Sequence, residues 1–150
     1  MQRLAVVEDG VDINEKNNYG ETALICASMS GHIDIVKLLI ENGADVNAKD
    51  DDNDTALTKA VSNGRTDIVK LLLENGANAN IQNNNNNTAL TIAVINLRID
   101  IIKLLLSHGV DVNIKNHMGE TALMIAERYK YFEIAKLIKS YDDSYDTKPA

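Results

Sequence analysis

The first residues whose types could do chemistry are four acids packed into one short stretch: Asp50, Asp51, Asp52 and Asp54. Carboxylates at alternate positions open a calcium-binding EF-hand loop. Such a loop needs Gly at its sixth position and a bidentate Glu at its twelfth. Counted from Asp50, those positions hold Thr55 and Val61, so the acids read as a solvated loop tip that concentrates negative charge on one edge. The histidines His32, His108 and His117 fall at a helix start, a helix end and a loop tip, and none pairs in pattern with Cys26. Neither a metal site nor a Cys–His nucleophile is expected, and Cys26 reads as a small packing residue. The asparagine run from Asn83 to Asn87 reflects compositional bias rather than a specialised tract. No nucleophile, base and oxyanion donors come together in the sequence, so we expect no enzyme and no cofactor.

Composition narrows the remaining classes. The chain has 150 residues, 45% of them apolar, which suffices for one ordinary domain. No Trp and one Phe leave the core to Leu, Ile, Val and Ala. A net charge of −7 argues against nucleic acid and anionic membrane surfaces, which both require clustered Lys and Arg. The longest apolar runs, such as Ile99 to Leu106, are broken by Asp100 and Lys103 and fall far short of the roughly 20 residues of a membrane helix. Residues 1–10 show no signal peptide, and a single cysteine excludes an internal disulfide. A cytoplasmic location is expected, or a host cytosol for a secreted effector.

The elements that position these residues emerge from a repeat. Thr-Ala-Leu begins at Thr22, Thr55, Thr88 and Thr121, each 33 residues from the last. Gly43, Gly76 and Gly109 follow the same period, as do the Asp/Asn-x-Asn triplets ending at Asn14, Asn47, Asn80 and Asn113. Each unit reads as helix, turn, helix, loop. Thr22 is an N-cap, and Asp34 opens the second helix at the positive end of its dipole. Ile35, Val36, Leu38 and Leu39 form the apolar stripe of that helix, and Lys37 sits on the solvent side. Gly43 supplies the left-handed residue that stops it, and the polar stretch after it should project as a loop or β-hairpin. One such pair cannot bury its own apolar face, so units must stack.

The stretches Gly20-Glu21-Thr22-Ala23-Leu24, Gly31-His32, Ile35-Val36-Lys37-Leu38-Leu39 and Gly43-Ala44 resemble the ankyrin repeat. The resemblance covers about residues 4–141 and implies an all-α solenoid of stacked helix-turn-helix units with protruding loops or β-hairpins. Ala replaces the family's usual Pro, and Ile25, Thr58, Thr91 and Met124 replace its His. Thr58 and Thr91 offer a hydroxyl in place of that His. Leu97 and Lys130 stand where units one and two have Gly31 and Gly64, so a tighter or shifted inter-helix turn is expected there. Asn47, Asn80 and Asn113 read as closing their loop turns, in preference to the hydroxylation targets such an asparagine can be in the family.

The chain divides into a partial repeat over 1–14, four units over 15–47, 48–80, 81–113 and 114–141, and a flexible acidic tail over 142–150. Lys139 replaces Ile40, Leu73 and Leu106, which seals the last unit with charge. The resemblance implies a concave face of loop tips and first helices that binds another protein. Its contact positions map to Asn18, Tyr19, Glu21, Met29 and Ser30 in unit one, and to Asp51, Asp52, Asp54, Ser62 and Asn63 in unit two. Unit three gives Asn84, Asn85, Asn87, Ile95 and Asn96, and unit four His117, Met118, Glu120, Arg128 and Tyr129. The expected function is a monomeric protein–protein interaction scaffold whose acidic tips suit a basic partner segment. The alternative is a regulatory or targeting segment of a larger enzyme, channel or effector.

Overall fold

The computed structural model describes residues 12–142. The expected partial repeat therefore lies mostly outside the described residues, and so does the expected tail apart from Asp142. Eight helices follow in order: α1 (Ala23–Ser30), α2 (Ile33–Glu41), α3 (Ala56–Ser62), α4 (Thr66–Glu74), α5 (Ala89–Ile95), α6 (Ile99–Ser107), α7 (Ala122–Arg128) and α8 (Phe132–Tyr141). The odd-numbered helices form one layer and the even-numbered ones another, each helix packing on its counterpart in the next unit. Among the described residues there is no strand, so the hairpin expectation resolves to loops built from turns.

The odd layer packs the closer of the two. Its facing residues are small and fully buried: Ala56, Ala60, Ala89, Ala93, Ala122 and Ala126. Bulkier Ile, Val and Leu fill the space beneath the even layer, at Ile68, Val69, Leu72, Ile101, Ile102 and Leu105. Small side chains bring the odd helices together while larger ones hold the even helices apart, so the odd layer lies on the inside of the stack.

The Thr residue of each unit caps its odd helix by accepting the N–H three residues on, as from Thr22 to Ile25 and from Thr121 to Met124. In units two and three the bond is returned. The Thr58 hydroxyl accepts the N–H of Thr55, and Thr91 does the same for Thr88, completing a reciprocal capping box. The hydroxyls that replace the family's His thus secure the same helix start.

The inter-helix turn corrects one expectation. Leu97 and Lys130 neither tighten nor shift it; both adopt the left-handed backbone, at φ 56° and 62°, close to the 70° of Gly64. A reason for the exchange lies in the next unit. Arg65 extends its guanidinium over Gly31 and donates from Nε to the carbonyl of Met29, and Arg98 covers Gly64 and donates to the carbonyl of Ser62. A Cβ at either glycine would sit about 3 Å or less from the guanidinium. The next position in this series is Tyr131, not Arg, and there Leu97 stands.

A second correction concerns the apolar stripe of the second helix. Val36 and Leu39 are core, but Ile35 is 49% exposed, whereas Ile68, Ile101 and Ile134 at the same register are buried. Those three lie on helices with another even helix on their N-terminal side, and α2 has none among the described residues. Asp142, assigned to the tail by sequence, is buried at the end of α8 and its N–H donates to Lys139.

At the C-terminal end the charge seal has two members. Lys139 reaches Glu127 at 3.5 Å. Glu127 occupies the position of Val61 and Val94, both fully buried against the following unit. Two positions that join units elsewhere have therefore become an exposed ion pair.

Candidate partner-binding face

The loops begin with a residue that sequence reading overlooked. Asn17, Asp50, Asn83 and Asn116 recur every 33 residues, and each side chain accepts two backbone N–H groups of its own loop. This Asx turn fixes the tip at its base. The tips are then tied to one another. Asp51 donates its N–H to the carbonyl of Tyr19, Asn84 donates to that of Asp52, and His117 Nδ1 lies 3.1 Å from the carbonyl of Asn85. The signal for this was present in the period, hidden by the acid and asparagine runs around it.

The Asp/Asn-x-Asn triplets act one level higher. The first residue closes the turn, as Asp45 does for the N–H of Asn47. The third bridges units: Asn14 accepts from the N–H of Asp45, Asn47 from Asn78, and Asn80 from Asp111. Asn47 and Asn80 thus stitch repeats together rather than closing their own turns.

Burial divides the expected contact residues. Asn18, Tyr19, Ser30, Asp51, Asp52, Ser62, Asn63, Asn84, Asn85, Ile95, Asn96, His117, Met118, Arg128 and Tyr129 are exposed, while Glu21, Met29, Asp54, Asn87 and Glu120 are half-buried. Tyr19 and Met118 project furthest, at 73% and 68% exposure.

The acidic tip is less acidic than its sequence. Lys59 lies 3.8 Å from Asp50 and 3.6 Å from Asp54, in a slot that is Cys26, Ile92 or Ile125 in the other units. Asp54 also accepts from the Thr58 hydroxyl and the Asn83 amide. Asp50 and Asp54 are therefore structural, which leaves Asp51 and Asp52 to face solvent. Asp51 packs its carboxylate over Gly20.

Two groups of expected residues come together. Asp54, Ser62, Asn87, Ile95 and Asn96 line a depression of about 230 Å³ between units two and three, with Thr58, Lys59, Asn83 and Ile92 completing it. Asn87 Oδ1 is buried there with no hydrogen-bond partner in the protein. In unit four, Arg128 grips Glu120 through two bonds of 2.7 and 3.2 Å and lies 4.5 Å from the Tyr129 ring centre. Tyr129 stacks on Tyr131, an aromatic neighbour absent from the sequence-based set. The Arg128 hydrogen bonds hold the Glu120 carboxyl below its usual range, and Glu120 holds the guanidinium above its own. Burial raises the Cys26 thiol, with the Glu21 charge and hydrogen bond adding to it. A neutral thiol suits packing, not nucleophilic attack.

The family model for ankyrin repeats in three copies matches residues 1–83 and 75–148. The chain belongs to the ankyrin-repeat family. Ankyrin-repeat proteins are generally protein–protein interaction modules and typically non-catalytic. A search of curated proteins finds no match to this chain. Among the described residues no helix is long and apolar enough to cross a membrane, and no cluster of three or more His, Cys, Asp or Glu could hold a metal.

Proposed function

We propose that this ankyrin stack binds a partner protein along the odd-helix face and its loop tips. The observation that carries the reading is the depression between units two and three. Five residues expected from sequence to touch a partner line it, and the buried acceptor Asn87 Oδ1 has no donor from within the protein. Tyr19, Met118 and Tyr129 flank that centre as large anchors on loops and turns already fixed by hydrogen bonds, so little ordering entropy remains to be lost on binding. Asp51 and Asp52 orient a basic segment of the partner.

The exposed Glu127–Lys139 pair supports a monomer, because it sets two charges beside the exposed Met124 and Phe132 at the end where another unit would stack. A single cysteine leaves the redox compartment unmarked and compatible with the cytosol. The test is capture of partners from lysate of the expressing cells with the wild type and with Ile95→Asp, which places a charge in the depression. Loss of the wild-type set supports the reading; an unchanged set rules the depression out.

A further inference from the structure

Among the described residues successive even helices enclose three clefts, and the repeat makes each a control for the others. The upper rim of the clefts carries Ile33, Thr66 and Ile99 in turn, and the positions 33 residues apart that correspond to Ser140 at the lower end are Glu74 and Ser107. Only the cleft between α6 and α8 combines an apolar rim with an uncharged end. It encloses about 360 Å³, with Ile99 exposed at its rim and Leu137 half-buried within it. Lys103 and Lys136 flank it, exposed and without an ion pair among the described residues. Glu133 also lines it, which leaves two cations against one carboxylate.

We propose that the α6/α8 cleft docks a short acidic, amphipathic segment of a partner protein. One bulky aliphatic side chain would lie against Ile99 and Leu137, with carboxylates on either side meeting Lys103 and Lys136. The same two lysines per cleft recur as Lys37 with Lys70 and as Lys70 with Lys103, so charge selects an acidic ligand for this layer, while the apolar rim and uncharged end select this cleft within it. The chain carries −7 overall and repels an acidic segment over most of its surface, so cations beside an apolar slot favour this location. Glu74 at the end of the α2/α4 cleft would repel the same segment, and Thr66 weakens the apolar rim of the α4/α6 cleft. The site lies in the helix layer opposite the proposed partner-binding face and does not depend on it.

The test is fluorescence anisotropy on the full chain. The probe is a labelled helical peptide with leucines one turn apart and flanking glutamates, and its control has lysines in place of the glutamates. The glutamate peptide should bind, more weakly as salt rises, and the control should not. Ser140→Glu should weaken binding about tenfold and Ile99→Thr several-fold. Both variants copy residues that this chain uses in its own units, and unchanged thermal melting would show that they fold. Asp51→Asn with Asp52→Asn should leave the peptide affinity unaltered, which separates this site from the odd-helix face. Equal binding of the control peptide, no binding of the glutamate peptide, or wild-type affinity in both cleft variants would overturn the proposal. Self-association of the wild type that Ile99→Thr abolishes would also overturn it, because a second copy would then be the occupant.

Discussion

At the scale of single residues the left-handed turn is the most direct place to measure what the repeat tolerates. Leu97 holds a conformation that costs an ordinary L-residue about 1 kcal/mol or more. Leu97→Gly is expected to raise stability by about 1 kcal/mol and the melting temperature by a few degrees, as read by thermal circular dichroism. Gly64→Leu should do the reverse and by more, because its Cβ would meet the Arg98 guanidinium at 2.9 Å. The Glu120–Arg128 bond makes a second prediction at this scale. A carboxyl whose folded value is depressed contributes stability above its unfolded value, and the contribution disappears as pH falls through the folded one. NMR titration should place the Glu120 midpoint below the ordinary Glu range, and Arg128→Gln should return it there. The Thr caps were legible because N-cap chemistry is local. The strain at Leu97 was not, because which residue tolerates that turn depends on a side chain one unit away.

At the scale of elements, the loop of unit two shows how a run of one residue type can mislead. Four aspartates look alike in sequence, yet Asp50 and Asp54 build the turn and hold Lys59, while Asp51 and Asp52 face water. Lys59→Ile alone leaves two poorly solvated carboxylates without their cation and should cost roughly 1–2 kcal/mol. Adding Asp50→Asn and Asp54→Asn reproduces Asn83, Asn87 and Ile92 of unit three and should recover most of the loss. Urea unfolding of the single and combined variants measures both, and equal stability of the two would refute the pairing. Unit three serves as the control because the period sets the same elements in the same frame. That frame was fully legible from the Thr-Ala-Leu and Gly markers. The partner of each loop residue was not, since the bonds between tips join residues about one unit apart.

At the scale of the whole molecule, the two layers and their ends decide what the stack can do. The helix order, the core of Leu, Ile, Val and Ala, and the charged C-terminal end could be read from sequence, although Glu127 was missed as the mate of Lys139. Replacing both by the unit-three residues, Glu127→Val with Lys139→Leu, should expose an apolar end and drive concentration-dependent association in sedimentation velocity. Sequence alone could place the expected contact residues on a face but could not say which are spent internally. Asp54 and Glu120 are spent, whereas Tyr19 and Met118 stand free to meet a partner. The central claim is that binding belongs to this odd-helix face, and one comparison tests it most directly. Partner capture from lysate, read by mass spectrometry, should be run with the wild type, with Tyr19→Ala/Met118→Ala/Tyr129→Ala, and with Lys37→Ala/Lys70→Ala on the even layer. The triple variant should lose a set of proteins that the wild type and the even-layer variant both retain. Retention of that set by the triple variant would contradict the claim.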